Sequence, residues 1–193
     1  MSQAELLPAP AVVADTARSI LDKIRNSSEF HAFRAASLEY SEDWQCFTGF
    51  PVVQQWHLET DAPQLFEEGL RALALKAAVH QITGDDQLSE IPIAVPVDEM
   101  THAMLAQAQL VARMAASLDV SVIHQTDQEH TDYRSDSYTH TCYSLAWGEP
   151  PARYWLDHEE VVRRRRVLGA LYESIGMERS GREHRLTFEP VAA

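Results

Sequence analysis

The stretch Val120-Ser-Val-Ile-His124-Gln-Thr-Asp127-Gln-Glu129-His130-Thr-Asp-Tyr-Arg-Ser-Asp-Ser-Tyr138-Thr-His140-Thr-Cys142-Tyr-Ser-Leu-Ala-Trp147 decides how the second half of the chain is read. Its two ends, Val120–Thr126 and Tyr138–Trp147, are rich in β-branched and aromatic residues. The run between them is polar. Composition therefore predicts strand, loop, strand. Successive strand residues face opposite sides of a sheet. That parity puts His124 on a face with Val120 and Val122, and His140 on a face with Tyr138 and Cys142. A last strand over Glu183–Pro190 places His184 with Leu186 and Phe188 in the same way.

Working outward, the first half reads as helices. Val13, Ala17, Ile20, Leu21 and Ile24 lie on one face of a helix over residues 11–26, and a short second helix follows over 29–38. An aromatic stretch leads to a strand through Val52–Glu59. Thr60 or Asp61 then caps a helix that Gly84 stops. Residues 85–97 carry two prolines and read as irregular. Asp98 opens a long helix to Leu118, whose Met100 and Met104 read as core filler. Asp157 and Glu160 form a capping box for a final helix to Ile175. Helices first and strands later imply α+β: a helical N-terminal half packed on a small, mainly antiparallel sheet from the C-terminal half. One domain over 1–193 is expected, with 1–10 an extended arm.

Charge narrows the function classes. With 29 acidic and 16 basic residues, the formal charge is −13. That disfavours nucleic acid and anionic membrane surfaces, which both need dense Lys and Arg. Arg163–Arg166 wraps a helix and pairs with nearby acids rather than forming a patch. Cys46 and Cys142 read as free thiols in a reducing compartment. No signal-type N-terminus or membrane-length apolar run is present, so a cytoplasmic location is expected. No G-x-G-x-x-G, Walker loop, G-x-S-x-G or C-x-x-C occurs, which argues against an organic cofactor.

The histidines carry the chemical signal. His124, His130 and His140 are candidate proton carriers, with Asp127 and Glu129 orienting them. His57 and Glu59 share a face of the Val52–Glu59 strand. Trp56, Tyr138 and Trp147 are candidate walls of a substrate pocket with His57, Glu59 and Tyr172. If the three late strands form one sheet, His124, His140 and His184 converge on a zinc or iron ion, although no H-E-x-x-H spacing is present. The leading expectation is a small cytoplasmic enzyme using histidine–carboxylate acid–base chemistry, without an organic cofactor, on a small molecule. Dehydration, cyclisation, isomerisation and hydrolysis all fit. A non-enzymatic acidic binding or immunity-type protein is one alternative. A histidine-ligated metal-dependent hydrolase or lyase is another. The expected partner is a small-molecule substrate, and a homodimer is left open.

Two short segments bear resemblances. Leu171-Tyr172-Glu-Ser-Ile-Gly176 resembles the C-terminal piece of the acetyl-CoA-dependent N-acetyltransferases, where a tyrosine on that helix serves as general acid. The resemblance implies that role for Tyr172, but the family's pyrophosphate-binding turn is missing. His140-Thr-Cys-Tyr-Ser-Leu-Ala-Trp147 is similar to the signature of zinc D-Ala-D-Ala peptidases, with Trp147 where the signature places an aspartate.

Overall fold

The computed structural model describes residues 6–43, 52–124, 131–178 and 183–184, with side chains for 6–40, 52–124 and 131–176. Among these residues the architecture is helical. The elements are α1 (Pro10–Arg25), α2 (Phe30–Asp43), α3 (Leu58–Thr83), α4 (Asp86–Ser89), α5 (Val95–Leu105), α6 (Ala108–Leu118), α7 (Tyr138–Trp147) and α8 (His158–Ser174). The only paired extended segments described are β1 (Met177–Glu178) and β2 (Glu183–His184), an antiparallel pair two residues long.

The expected sheet is therefore absent from the described residues, and the α+β reading is overturned. Tyr138–Trp147 is the decisive case. Ser137 caps it by accepting the His140 N–H, and Thr139, Cys142 and Tyr143 are buried at helical spacing. Capping and one buried face outweigh the β propensity of its Thr, Tyr and Trp residues, because that propensity is itself mostly a packing preference. Val120–His124 runs without a strand partner, and residues 125–126 lie outside the described set. Val52–Glu59 is no strand either: it forms a turn, and α3 begins at Leu58. Of the last expected strand, Glu183–His184 forms β2, and residues 185–190 lie outside.

The helical expectations fare better. α1 starts at Pro10 and buries Val13, Ala17, Ile20, Leu21 and Ile24. α3 stops at Gly84, which adopts the left-handed conformation at φ 67°. α8 is capped by Asp157, whose carboxylate accepts the Glu159 N–H. The helix expected from Asp98 to Leu118 is two helices, broken at Ala106–Gln107. The break lets α5 pack on α3 and α6 on α1, α2 and α5.

α3 is the spine. α1, α2, α4, α5 and α7 all pack against it. Gly69 permits the closest approach of α5, because a Cβ there would lie 2.9 Å from Met104 Cε and 3.2 Å from Met100 Cγ. Phe30 and Phe33 of α2 meet Phe66 at ring distances of 6.3 and 5.8 Å. α3 also carries three buried charged residues, Asp61, Glu68 and Lys76. Each is paired, as buried charge requires. Asp61 takes a two-pronged contact from Arg153 at 2.6 and 2.8 Å and the Tyr154 hydroxyl at 2.7 Å. Glu68 accepts from the Tyr143 hydroxyl, the Trp155 indole and Arg71. α7 is fastened from the other side by Arg18 of α1, which donates to the Leu145 and Ala146 carbonyls. Cys142, the free thiol of α7, is fully buried. α8 is attached through Val161, which joins Val52, Val95 and Leu156, with Leu168 packing against the same cluster.

Candidate metal centre

Asp98 and His102 sit one turn apart on α5, so their side chains share a face. Pro96, the second residue of that helix, suits its first turn, where no N–H donor is needed. The third group, His124, comes from the chain after α6 and reaches back to α5. Its ring centroid is 5.0 Å from that of His102. Asp98 Oδ1 is 3.6 Å from His124 Nε2, and Asp98 Oδ2 is 3.6 Å from His102 Nε2. One donor atom from each of the three residues falls within 4.8 Å of the others. Two donors on a tetrahedral zinc, each at about 2.0–2.1 Å, stand roughly 3.4 Å apart. The three side chains could geometrically hold a metal ion.

The surroundings are polar and buried on the His124 side. Lys76 and Glu90 form an ion pair at 2.5 Å with both side chains 1 % exposed. The Lys76 ammonium stands 3.1 Å from His124 Nδ1. An ammonium can only donate, so Nδ1 accepts and the proton of the neutral ring sits on Nε2. Thr101 agrees with this tautomer: its hydroxyl donates to the Asp98 carbonyl at 2.7 Å, which leaves its oxygen to accept from His124 Nε2 at 3.3 Å. The side chains of His124 and Asp98 are 2 % and 7 % exposed, whereas His102 is 32 % exposed. The site therefore opens to solvent on the His102 side.

No protein-family model, no curated protein and no solved structure matches this chain.

Of the expected site residues, the structure brings His124 into a cluster with Asp98 and His102, and gives His140 other partners. His140 lies on α7, where the Tyr133 hydroxyl donates to its Nδ1 at 2.7 Å and its Nε2 faces Glu149 at 3.6 Å. Burial, reinforced by the charges of Glu149 and Asp157, pushes the Tyr133 hydroxyl above its ordinary range and keeps it a donor. His140 thus shares no described partner with His124. His184 belongs to β2, and its side chain is outside those described. Asp127, Glu129 and His130 also lie outside the described residues.

The residues named for the pocket lie before and in α3, on α7 and on α8. His57 and Glu59 are exposed at the start of α3, where His57 is the N-cap, so they share no strand face. Trp56, Tyr138 and Trp147 pack against the core, and Tyr172 is half-buried on α8. A groove of about 590 Å³ runs instead along α6 and the following segment, lined by residues including Leu105, Val111, Ala115, Val120 and Val122.

Asp98 and His102 were missed as site residues, although a signal existed. Asp98-Glu99-Met100-Thr101-His102 has the i, i+4 ligand spacing and adjacent glutamate of H-E-x-x-H, with aspartate in the first position. A search for two histidines passes over it.

Proposed function

We propose that this protein is a divalent-metal-dependent enzyme of hydrolase or lyase type. Asp98, His102 and His124 would hold one zinc-class ion. The convergence of those three donors within 4.8 Å carries the reading. Two imidazoles and a carboxylate form a donor set used by catalytic zinc and by non-haem iron. The aspartate–glutamate–histidine spacing on α5 favours zinc. Three protein ligands leave a position for water, and a bound ion supplies a nucleophile by acidifying that water. This chain's residues would do the holding: Asp98 between the two rings, His102 at the open side, and His124 from the buried side. For His124 to ligate through Nε2 as a neutral imidazole, the Lys76 ammonium at 3.1 Å would have to pass a proton to Nδ1 as the Nε2 proton leaves, so uptake would release one proton and leave Lys76 a neutral amine.

A second reading is favoured by the Lys76–His124 hydrogen bond. In it His124 stays a metal-free, neutral imidazole beside Asp98, and the centre handles protons without an ion. Zinc titration separates the two readings. The metal reading expects one ion bound per chain, released by a chelator and lost in Asp98→Asn and His124→Ala. It also expects a raised unfolding temperature, since an ion at a hundred times its Kd adds about 2.7 kcal/mol. Wild-type protein that takes up no zinc or ferrous iron leaves the metal-free reading in possession of the site. No helix among the described residues is long and apolar enough to cross a membrane. That fact and the buried free Cys142 support a reducing, cytoplasmic setting as part of this proposal.

A further inference from the structure

The two imidazoles of the centre are braced by groups of opposite charge. His124 presents Nδ1 to the Lys76 ammonium at 3.1 Å. His102 presents Nδ1 to a carboxylate, with Glu99 Oε2 3.9 Å away. Glu99 precedes His102 by three residues on α5, so the two are neighbours on the helix surface by construction. The Glu99 side chain is 14 % exposed: it is folded against the site rather than extended into water. On the other edge of the same ring, His102 Nε2 faces the Asp98 carboxylate at 3.6 Å.

A histidine that binds a metal through one nitrogen commonly donates the N–H of the other to a carboxylate, which fixes the tautomer and makes the ligating nitrogen more basic. We propose that Glu99 is the positioning carboxylate of His102: from 3.9 Å it would close on the Nδ1–H when the ion binds and so present the Nε2 lone pair toward Asp98 and the ion. The assignment rests on the metal reading of the centre. It makes His102 the ligand on the solvent side, while His124 closes the site from the buried side. It also gives the aspartate–glutamate–histidine spacing a division of labour. The first and last residues ligate, and the middle one acts through the last.

The test is zinc affinity of the full-length protein, measured by competition with a chromophoric chelator, for wild type, Glu99→Ala and Glu99→Gln. Imidazole ¹⁵N spectra of His102 are recorded in the zinc-loaded state. Glu99→Ala is expected to weaken zinc 10–100-fold. Its Nδ1–H signal is expected to broaden or vanish through exchange with water. Glu99→Gln keeps an acceptor oxygen in place and is expected to recover most of the affinity and the protected Nδ1–H. If the alanine variant fails to fold, the glutamine variant and the wild-type spectrum still decide: a wild-type His102 that is protonated at Nε2 overturns the assignment. Alanine-variant affinity within twofold of wild type also overturns it, while zinc uptake itself stands. Wild-type protein that binds no zinc overturns this assignment together with the reading it rests on.

Discussion

Lys76 shows what a single residue costs and does in this core. Its ammonium is 1 % exposed and is matched by Glu90 at 2.5 Å, so both charges have left water together. Removing one partner strands the other, which costs about 3–5 kcal/mol, whereas replacing both with apolar groups of similar size costs far less. Chemical denaturation of Lys76→Met, Glu90→Gln and the double variant Lys76→Met/Glu90→Leu is expected to show that order, and additive losses would contradict it. Asp61 makes a related point about pH. Hydrogen bonds from Arg153 hold its carboxyl well below the usual carboxylate range, with the His57 N–H and Tyr154 hydroxyl adding to the effect. A depressed folded value stabilises the protein above the unfolded value, near pH 4, and that stabilisation is lost as pH falls through the acid range. Asp61→Asn is expected to lower the unfolding temperature at pH 7 and to flatten its decline in acid. Parallel wild-type and variant curves would show that the Arg153 contact contributes nothing.

At the scale of elements, start and stop signals proved more legible than strand composition. Gly84 after α3 and Asp157 before α8 act where the sequence places them, because caps satisfy backbone groups locally, whereas Pro10, expected in the arm, is the first residue of α1. Tyr138–Trp147 misleads for the opposite reason. Its Thr, Tyr and Trp side chains suit a half-buried pleated surface, yet α1 and α3 offer a helical groove, and Tyr143 and Trp147 fill it around Arg71. Ser137 and Gly148 flank the segment as N-cap and stop, and they were the better guide. Ser137→Ala is expected to cost about 1 kcal/mol, with loss confined to folding stability. An unchanged denaturation midpoint would mean that tertiary packing alone holds α7 in helical form. The candidate centre was half legible for the same reason. His124 stood out as a lone histidine among valines. Asp98 read as a cap and His102 drew no reading, because no periodicity tells which distant segment will arrive beside them.

For the whole molecule, packing is densest around α3 and thins toward the C-terminal end. α8 buries Val161 in its first turn, while Val167, Leu171 and Ile175 remain 61 %, 56 % and 52 % exposed. Regions with few buried contacts open at lower free energy than the core. Amide hydrogen exchange is expected to be fastest, among the helices longer than ten residues, in the second half of α8, and slowest in the middle of α3. Equal protection of the two would show that α8 is anchored more firmly than its buried contacts imply. α7 lies between these extremes, and Cys142 sits in its buried face. Burial pushes that thiol up to about 11, so at neutral pH it is both hidden and unreactive. An alkylating reagent therefore gains no purchase until α7 lifts from α1 and α3. With Cys46 replaced by serine, the rate of Cys142 labelling becomes a stopwatch for that event. The chain carries its own chemical timer for the opening of its core, read by mass spectrometry without any added probe site.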